Sequence, residues 1–564
     1  MGPIAEFVEC KSISIILYDL SRLIARRGSL TATGIDRVDL AYANWLRQSK
    51  HKHCFVVQVG PRLAHVPSGR AATLLNYLTA TWGRTALRKM DRASVEVELG
   101  SGFEQVEEIV SRTLDALLRK HSPSVYVNIS HHGISNSNLF FYLQTRYRTR
   151  FCFYIHDVLP IQFPEYVRLG DDEEHAKRMR TVFDLEPLIL TNSDATHISL
   201  QEWARQNARS NPRVEVLHIG VEDHFVPAAA AATMDNEPYF LVVGTIEPRK
   251  NHMLLLHLWR VMAAEREQVP QLVVVGKRGW ENEGIKALLD RSPSLKSCVT
   301  ELSNVTDLEL QTLMYGARAL LFPSFGEGWG MPLVEALAMG VPVICSDIDA
   351  FREAGQGIPD YIDPLDASAW RTVIQNYESA GSELRQAQLH RMASFVRPSW
   401  EQHFYAFDKA LLAYLSEDRI ATFESKGRLL LGGLSLQEFY LEHREKIGRL
   451  VENDLDHVKE LGDSRRDSHL HLDSAIAYAG VVRRDSSLHA YWVQFGHMLK
   501  ESGNLTAACE AYNCAFEMIP DDVDLHVQFG HLMMRAGREE QANMYYRMAM
   551  ELDPAGSALR YMAS

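Results

Sequence analysis

Two glutamates, Glu327 and Glu335, lie eight positions apart in the glycine-rich stretch SFGEGWGMPLVE (324–335). Glu327 falls in a loop with little side-chain cover. Pro332 predicts that a helix opens there, since proline is favoured at the first helical position, and Glu335 then falls inside the first turn. The free N–H groups and positive dipole end of an opening helix suit a phosphate. Hydroxyl-reading carboxylates beside a phosphate site fit a nucleotide-sugar; the alternative is an ordinary strand-to-helix loop, because the dipole favours such residues anyway.

A basic turn, GTIEPRKN (244–251), directly follows an apolar run. Gly244 lets the backbone approach a ligand, and Arg249 and Lys250 place two cations at the carboxyl end of a predicted strand. Departure of a nucleoside diphosphate develops negative charge, which Arg and Lys can stabilise without a metal. The other interpretation is a solvated basic turn. We favour the first, since basic residues at a helix start oppose its dipole.

The stretch VVVGKRGW (273–280) repeats this arrangement one strand later. Gly276 and Lys277 follow its apolar residues and are candidates for lining the base or phosphate pocket. An ordinary glycine turn explains them equally well.

Two series of apolar runs must position these motifs, separated by a predicted linker at 227–238. Continuous apolar runs that alternate with helical patterns indicate parallel sheets covered on both faces. We therefore predict an α/β fold class with two doubly wound, Rossmann-like domains and a ligand cleft between the carboxyl ends of their sheets. The runs are ISIIL (13–17), CFVVQV (54–59), VYVNI (125–129), FCFYI (151–155), LILT (188–191) and VEVL (214–217), then YFLVV (239–243), QLVVV (271–275), ALLF (319–322) and VPVIC (341–345).

The tail repeats every 34 residues between 490 and 564. The period, the paired helical patterns and a proline after the second helix resemble tetratricopeptide repeats. Tyr478 lies 34 positions before Tyr512, so a degenerate earlier repeat is expected over about 456–486. Such stacks bind peptides or partner proteins, self-associate, or simply extend the fold. The matched positions are Gly496 and Gly530, Gly503 and Gly537, Ala508 and Ala542, Tyr512 and Tyr546, and Pro520 and Pro554.

The 564-residue chain is too long for one core, and these patterns divide it into four parts. We predict an N-terminal Rossmann-like domain over 1–226, a second Rossmann-like domain over 237–396 with a closing amphipathic helix at 398–416, a helical connector over 417–455, and an all-α helical-repeat domain over 456–564.

The composition is that of a soluble globular protein, with 46% hydrophobic and 23% charged residues. No apolar run approaches the roughly 18–20 residues of a membrane span, and no secretory pattern opens the chain. The seven cysteines lack metal-type spacing, so we expect a cytoplasmic protein with reduced thiols. No metal site is predicted, because the pairs His131–His132 and His156–Asp157 lack a third spaced ligand.

Charge is distributed unevenly: the chain carries −13, yet residues 1–225 hold 27 Lys and Arg against 25 Asp and Glu. That part contains the basic clusters RLIARR (22–27), RTALRKMDR (84–92) and RYRTR (146–150). One interpretation is a peripheral contact with the inner face of a membrane or a lipid-linked acceptor. Solvated arginines on helix faces are the interpretation we favour. No nucleic-acid partner is expected.

The chain resembles the family 4 retaining glycosyltransferases of the GT-B fold in three stretches. They are the strand ending in GTIEPRKN, then VVVGKRGW, and then PSFGEGWGMPLVEALAMGVPVICSD. The likeness spans about residues 12–416 and is most specific over 239–347. In that family the first glutamate of the pair contacts the donor hexose and the second contacts the nucleotide ribose. The resemblance implies that Glu327 binds sugar hydroxyls and helps to stabilise the oxocarbenium-like state, while Glu335 binds the ribose.

The resemblance also assigns the rest of the donor site. Arg249 and Lys250 match the family's diphosphate-binding pair, and Trp329 stands where relatives often have Phe. The first domain would hold the acceptor and the second the nucleotide-sugar. The remaining donor-binding groups would be the backbone amides of Gly328, Trp329 and Gly330 along the sugar, and those of Leu333 and Val334 at the distal phosphate.

The N-terminal half carries weaker matches. TGIDRV (33–38) resembles the loop that lies over the donor phosphates, so Gly34 is the expected contact. Arg37 would pair with phosphate, or simply with Asp36 or Asp39.

YIHDVLP (154–160) follows a strand, where family members often place a histidine near the reacting sugar. His156 would bond a sugar hydroxyl or assist the acceptor, unless it is structural. Asp157 would be an acceptor-side base or a turn cap. His131 and His132 sit in a polar loop expected to face the acceptor.

The resemblance implies transfer of a hexose to a hydroxyl of a saccharide or lipid-linked saccharide in polysaccharide synthesis, with retained configuration and without metal or cofactor. The sequence context is most similar to bacterial mannosyltransferases, so GDP-mannose is the favoured donor. Three alternatives stay open: a UDP-glucose or dTDP-deoxysugar donor, another GT-B reaction such as epimerisation, and a binding scaffold with an inactive transferase half. The glutamate pair with its neighbouring Arg249 and Lys250 argues against the last two.

Overall fold

The computed structural model of the chain describes residues 15–29, 31–60, 62–83, 112–121, 123–209, 213–225, 239–266, 268–379, 381–416, 431, 433–519 and 522–553. Contacts divide the chain into two compact units. The first unit holds the described residues of 1–136 and 149–416, and the second holds those of 137–148 and 417–564. The predicted linker 227–238 and the basic cluster 84–92 lie outside the described residues.

The first sheet of the first unit has seven strands in the order β3-β2-β1-β4-β5-β6-β7. All neighbours are parallel except β2 and β3. Every residue of the central strands β1 and β4 is buried, as expected for strands covered on both faces. The strands are β1 Ile15–Asp19, β2 His53–Val59, β3 Arg62–Val66, β4 Ser124–Asn128, β5 Arg150–Ile155, β6 Leu188–Thr191 and β7 Arg213–Val216.

The second sheet is wholly parallel, with the order β10-β9-β8-β11-β12-β13. In both sheets the chain order reverses at one strand, β1 in the first and β8 in the second. Such switch points leave a crevice at the carboxyl ends of the strands. The strands are β8 Tyr239–Val243, β9 Gln271–Val275, β10 Val299–Leu302, β11 Ala319–Phe322, β12 Val343–Ser346 and β13 Asp360–Ile362. The prediction of two Rossmann-like domains is confirmed.

The helices of the first unit connect these strands. They are Ser21–Arg26, Gly34–Gln48, Ser68–Gly83, Arg112–Lys120, Leu159–Gln162, Asp171–Asp184, Asp194–Gln206, His252–Glu265, Glu283–Arg291, Asp307–Gly316, Met331–Ala338, Asp349–Gly355, Ala367–Glu378, Glu383–Arg391 and Trp400–Ser416, with short 3₁₀ turns at Pro164–Tyr166, Pro248–Lys250 and Met392–Ser394.

All ten predicted strands are present; four have the predicted ends, and the ends of the other six differ by at most two residues. Three further strands were not predicted: β3, β10 and β13. Each of them lies at an edge of its sheet. Edge strands bury less of their surface, so their sequences lack the continuous apolar run that identifies a central strand.

The helix predicted at 398–416 begins at Trp400 and returns to the first domain. His403 bonds the hydroxyl of Tyr42 at 2.7 Å and the carbonyl oxygen of His218 at 2.8 Å. Burial lowers the pKa of His403 to about 4, so the ring is neutral. Phe404 and Phe407 pack against the Tyr42 ring, with centroids 5.1 and 5.0 Å away. This aromatic cluster fixes the closing helix to the helix Gly34–Gln48.

Two of the three basic clusters fall within the described residues. Arg22 and Arg26 both bond the carboxylate of Asp36, at 2.7 and 3.1 Å. The guanidinium of Arg150 lies over the ring of Tyr414, 4.0 Å from its centroid. These three arginines are held by partners within the unit, so the expectation of simply solvated arginines does not describe them. None of the helices in the described part of the chain combines the length and hydropathy that a bilayer crossing requires.

The second unit is built of helices throughout its described residues. The starts of successive helix pairs fall 34 residues apart, as the sequence period predicts. The helices are Ser137–Tyr147, Leu436–Glu442 and Arg444–Val451, followed by the pairs Leu455–Asp467 with His471–Arg484, His489–Glu501 with Leu505–Met518, and Val523–Arg535 with Glu539–Leu552. The first pair is the degenerate repeat expected around Tyr478. The helix Ser137–Tyr147, which we assigned to the first Rossmann-like domain, groups instead with these helices, where Phe141 lies edge-on to Tyr545.

Each pair is packed around one glycine and one tyrosine. A Cβ atom added to the glycine would fall between 2.2 and 2.6 Å from the tyrosine ring, so only glycine fits the contact. The contacts are Gly462 with Tyr478, Gly496 with Tyr512, and Gly530 with Tyr546. Pro520 and Pro554 lie outside the described residues.

The described part of the predicted connector 417–455 is 431 and 433–455. Its start and the helix Leu436–Glu442 pack on the second pair, whereas the helix Arg444–Val451 packs on His471–Arg484 of the first pair. Leu431 donates its amide to the Thr506 hydroxyl at 3.2 Å, and the Leu434 carbonyl accepts from the Ala507 amide at 3.0 Å. Phe439 is fully buried.

Candidate active site

The glycine-rich stretch joins β11 to the helix Met331–Ala338, called here the site helix. Gly330 is its N-cap, with a φ of +108° in the left-handed region that favours glycine. The helix therefore begins at Met331, one residue before the predicted start at Pro332. As a consequence Glu335 is the fifth helical residue and lies in the second turn, not in the first as predicted.

Glu327 lies between the two predicted cations. Its Oε1 atom is 2.5 Å from Lys250 Nζ and 2.9 Å from Arg249 Nη1. Arg249 also donates to the Gly326 carbonyl at 2.5 Å and to Glu247 at 2.7 Å. The structure thus brings Glu327, Arg249 and Lys250 into direct contact at the carboxyl end of β8, although 77 residues separate Glu327 from Lys250.

These ion pairs fix the charge of Glu327. Burial opposes its ionisation, but the positive charges of Arg249 and Lys250 outweigh burial and lower its pKa to about 2. Burial likewise opposes the charge of Arg249, while Glu327 and Glu247 raise its pKa above the ordinary value. Glu327 is therefore ionised at neutral pH. In this state it accepts hydrogen bonds from hydroxyls and donates none.

Two glycines bring the ends of β8 and β9 together. A Cβ atom on Gly276 would lie 1.9 Å from the Gly244 carbonyl oxygen, so the approach of these strand ends requires glycine at 276. The side chain of Lys250 passes over Gly244, and its ammonium lies 5.0 Å from the Phe322 ring centroid. Both predicted glycines thus shape the turn that presents Lys250.

Lys277 is exposed at the end of β9. Partial burial of the Lys277 side chain lowers its pKa, and the positive charge of Arg26 lowers it further. Lys277 is therefore within electrostatic range of the first domain. It is not in the ion-pair cluster around Glu327.

Glu335 has a different partner. Its Oε1 atom accepts from Arg37 Nη1 at 2.9 Å, and Arg37 Nη2 donates to Asp307 at 2.6 Å. Burial raises the pKa of Glu335 to about 7, Arg37 opposes this, and the carboxylates of Asp307 and Glu222 add to it. Arg37 thus pairs with neither of the neighbours we named, Asp36 and Asp39. Asp36 is taken by Arg22 and Arg26.

Gly34 opens the helix Gly34–Gln48, whose first turn lies against the site helix. A Cβ atom on Gly34 would be 3.1 Å from Met331 Sδ. Thr33 and Asp36 form a capping box that fixes this helix start. The loop predicted to cover the donor phosphates is therefore placed at the first residue of the site helix.

Gly328 makes a close backbone contact with the first Rossmann-like domain. A Cβ atom there would be 2.0 Å from the His156 carbonyl oxygen. The Gly328 carbonyl accepts from the hydroxyls of Ser193, at 2.6 Å, and Thr196, at 3.3 Å. Asn192 Nδ2 donates to the same His156 carbonyl at 2.8 Å. These bonds hold the loop that carries Glu327 against the loop after β5.

His156 is buried and bonded to the backbone. Its Nε2 donates to the Ile129 carbonyl at 2.6 Å, and its amide donates to His131 Nε2 at 3.1 Å. Burial lowers the pKa of His156 to about 4 and holds that of His131 well below its usual range. A third ring, that of His175, lies 5.3 Å from His131. In this structure the rings are neutral, and the contacts of His156 are structural; its action on a sugar stays a prediction.

Asp157 makes the turn-cap contact that we named as its alternative role. Its Oδ1 accepts from the Leu159 amide at 3.2 Å. Its charge acts on Arg249 and favours the protonated guanidinium. Asp157 therefore lies near Arg249, and a role as acceptor-side base stays a prediction. His132 lies in the same region, and burial lowers its pKa.

The Trp329 side chain is buried against a histidine of the first domain. Its indole stacks on His218, with centroids 4.6 Å apart and planes 19° apart. His218 in turn bonds Glu353 at 2.7 Å, and Glu353 accepts from the amides of Asp194 and Ala195 at 2.9 and 3.2 Å. The tryptophan side chain thus joins a contact between the domains.

The amides of Leu333 and Val334 donate hydrogen bonds to the Gly330 carbonyl, at 3.0 and 3.3 Å. These bonds belong to the start of the site helix. The assignment of both amides to a distal phosphate stays a prediction, as does that of the amides of Gly328, Trp329 and Gly330 to the sugar.

The sequence did not identify three contributors: Asp307 and Glu222 around Arg37, and His218 against Trp329. The sequence around Arg37 does not predict its contact with Asp307, because 270 residues separate the two. Within the described ranges, no group of three or more His, Cys, Asp or Glu side chains is arranged to hold a metal ion.

Comparisons with known proteins identify the second Rossmann-like domain. The family model for glycosyl transferases group 1 matches residues 229–356. The serotype-specific mannosyltransferase WbdA of Escherichia coli is 33% identical over 219 residues, which are 36% of this chain and 27% of WbdA. The O-antigen chain mannosyltransferase B of E. coli is 29% identical over 254 residues, 44% of this chain and 66% of that protein.

The chain thus spans about a quarter of the first relative and just under two thirds of the second. Among solved structures, sucrose-phosphate synthase from Thermosynechococcus elongatus is similar over 71% of this chain and 98% of its own, with 15% identity and a TM-score of 0.47. The match to the family model covers β8 to the helix Asp349–Gly355 and includes both glutamates and the Arg249–Lys250 pair. Residues 229–356 are therefore similar to the group 1 glycosyl transferases.

Proposed function

We propose that this protein is a retaining glycosyltransferase that moves a hexose from a nucleoside-diphosphate sugar to a hydroxyl of a saccharide or lipid-linked saccharide. The observation that carries the proposal is the contact of Glu327 with both Arg249 and Lys250 at the carboxyl end of β8. Two cations held beside an ionised carboxylate suit a ligand whose diphosphate is anionic and whose sugar offers hydroxyl donors.

The residues divide the reaction between them. Arg249 and Lys250 stabilise the charge that develops on the departing diphosphate, and thereby supply what a metal would otherwise supply. The bond from the sugar C1 to the phosphate oxygen breaks, and a bond from C1 to the acceptor oxygen forms on the same face. The acceptor proton passes to the departing phosphate. Glu327 stays ionised, accepts from sugar hydroxyls and favours the positive charge at the reacting carbon.

GDP-mannose is the donor we favour. Both relatives named above are mannosyltransferases of E. coli, and one of them is named for O-antigen chains. They support mannose and polysaccharide synthesis for this chain. A UDP- or dTDP-sugar donor is the alternative within the same reaction.

The test is a transfer assay on the full chain with GDP-mannose, UDP-glucose and a dTDP-deoxysugar, each with a panel of oligosaccharide acceptors. The anomeric configuration of the product is read by NMR. We expect turnover with GDP-mannose, an α-linked product from the α-linked donor, and no loss of rate with a chelator. An inverted product, or loss of activity with the chelator, contradicts the proposal.

A second candidate is a binding scaffold whose transferase half is inactive, favoured by the three helix pairs of the second unit. The two candidates separate on one measurement. A scaffold shows no thermal stabilisation by GDP, UDP or their sugars, whereas a ligand that binds only the native enzyme raises its melting temperature.

The remaining partners follow from the same proposal. The helix pairs would bind a partner protein or a second copy of the chain, since stacked repeats present extended surfaces. A lipid-linked acceptor would bring the enzyme to the inner face of a membrane from the cytoplasm. Deleting 456–564 and measuring both transfer and oligomeric state tests the first point.

A further inference from the structure

We propose that Arg37, on the first Rossmann-like domain, is a positioning residue for Glu335, the carboxylate assigned to the donor ribose. This inference rests on the proposed function. It adds a residue of the N-terminal domain to a nucleotide site otherwise built from the second domain.

The contact is a bridge between domains. Arg37 donates one N–H to Glu335 at 2.9 Å and another to Asp307 at 2.6 Å. The Arg37 side chain is 17% exposed and that of Glu335 is 4% exposed. A guanidinium held at both ends has a fixed plane, so it fixes the orientation of the carboxylate that it contacts.

A second contact sets the same alignment. Gly34 lies against Met331, the first residue of the site helix, and Arg37 meets Glu335. Residues 34 and 37 are three apart on one helix, and residues 331 and 335 are four apart on the other. Both spacings place residues on one helical face, so the two helices touch along adjoining turns. This arrangement places Arg37 opposite Glu335, which is the only charged residue of the site helix.

Arg37 is one cation among several carboxylates. The groups that act on Glu335 are Arg37, Asp307 and Glu222, and Glu222 also bonds the indole of Trp400 at 3.2 Å. His224 and Arg397 lie further out around Asp307 and Arg37. Without Arg37, Glu335 would face two like charges in a buried site. A carboxyl in that setting retains its proton and accepts weakly from a ribose hydroxyl.

The consequence is a change in pH dependence. Burial already raises the pKa of Glu335 to about 7, and Arg37 counteracts burial. Removal of Arg37 should raise the pKa further, so that donor binding at neutral pH falls and recovers as the pH increases. A residue with a purely structural role would not shift the pH profile in this direction.

The experiment compares Arg37→Met, Arg37→Lys, Glu335→Gln and the double variant Arg37→Met with Glu335→Gln in the full-length enzyme. The donor KM and kcat are measured from about pH 6 to pH 9. For Arg37→Met we expect the donor KM to rise about fivefold at pH 7, as an increase of one unit from a pKa of about 7 would give, with the difference shrinking toward pH 9. We expect kcat to change much less, and Arg37→Lys to regain part of the affinity.

The double variant supplies the decisive control. If Arg37 acts through Glu335, Arg37→Met raises the donor KM little once Glu335 is Gln. An equal rise in both backgrounds, a rise independent of pH, or tighter donor binding in Arg37→Met overturns the inference.

Urea unfolding of the wild type, Arg37→Met, Glu335→Gln and the double variant keeps this inference separate from the proposed function. The Arg37–Glu335 coupling should increase as the pH increases, because Glu335 gains its charge; an absent coupling at every pH contradicts the positioning role even if transfer is observed. If the wild type binds no nucleoside diphosphate but the coupling is present, the proposed function fails while the contact stands.

Discussion

Glu327 and Glu335 belong to one loop and helix, yet they occupy opposite electrostatic settings. Glu327 is paired with two cations from its own domain, and its pKa is lowered to about 2. Glu335 has one cation, which comes from the other domain, and its pKa is raised to about 7. Burial penalises both carboxylates, so the difference lies in the number and the origin of their partners.

Two residues of the same type in one motif can therefore differ in their ionisation. Glu327 is ionised at neutral pH, because Arg249 and Lys250 in the turn after β8 lower its pKa. The charge of Glu335 depends on pH and on the presence of Arg37 from the first domain. The charge of Glu327 is therefore set by one domain, whereas the charge of Glu335 depends on both.

The largest effect is expected from Glu327→Gln, with Glu335→Gln as the matched control. Loss of the Glu327 charge leaves Lys250 and, in part, Arg249 buried without a partner. We expect a loss of about 3 kcal/mol in the free energy of unfolding and a fall of about 100-fold or more in kcat. Glu335→Gln should cost within about 1 kcal/mol, since an amide replaces a carboxyl that is nearly half protonated at neutral pH. Urea unfolding and initial rates measure both; equal costs for the two variants would remove the contrast.

Next in size is Gly328→Ala, compared with Gly34→Ala. The first adds a Cβ atom 2.0 Å from the His156 carbonyl oxygen, so backbone must shift beside Glu327. The second meets the flexible Met331 sulfur at 3.1 Å, beside the Glu335 contact. We expect transfer to fall about 100-fold for Gly328→Ala, as misplacement of a reacting group allows. For Gly34→Ala we expect about threefold, because one flexible side chain can move. A larger effect at Gly34 would show that the contact with the first domain controls both glutamates.

The two carboxylates should also differ in how they link stability to pH. Between about pH 4.5 and 7 native Glu335 retains a proton that the unfolded chain releases, so stability falls as the pH rises, and this fall is absent in Glu335→Gln. Glu327 is the reverse: its contribution is present above about pH 4.5 and is lost as the pH falls toward 2. Each slope approaches about 1 kcal/mol per pH unit at most. Unfolding curves of wild type and both variants across pH test the signs; parallel curves would contradict them.

The smallest effect is expected from Lys277→Met. Lys277 is exposed and stands outside both ion-pair clusters. We expect the donor KM to rise about threefold at low salt, with the difference fading at high ionic strength. Neither pH slope should change. A change in either slope would show that Lys277 belongs to one of the two carboxylate sites.

The central strands were predictable because they are short, continuous apolar runs such as LILT, which became the fully buried strand β6. The edge strands β3, β10 and β13 were not, since partial exposure leaves polar residues in sequences such as VTEL. The 34-residue period fixed the helix pairs of the tail, because each pair repeats the same packing.

At the site, the residue types and the strand-end position of Arg249 and Lys250 were enough to expect a cationic turn near Glu327. The pairing of Arg37 with Glu335 was not predictable, because 298 residues separate them and Asp36 and Asp39 are nearer in the chain. The local sequence also gave no indication that the His156 ring donates to the Ile129 carbonyl. Spacing identifies groups on one element, but it does not identify partners that meet only when two domains pack.

The glycine–tyrosine contact of each helix pair has a consequence for how the tail can vary in length. Every pair buries the same tyrosine against the same glycine, so whole units of 34 residues can be added or removed while the remaining contacts are kept. A single-residue insertion inside one of the two helices, between the glycine and the loop or between the loop and the tyrosine, has no such freedom, since it rotates the glycine and the tyrosine about 100° out of register. The tail is thus tolerant of large changes in length and intolerant of small ones.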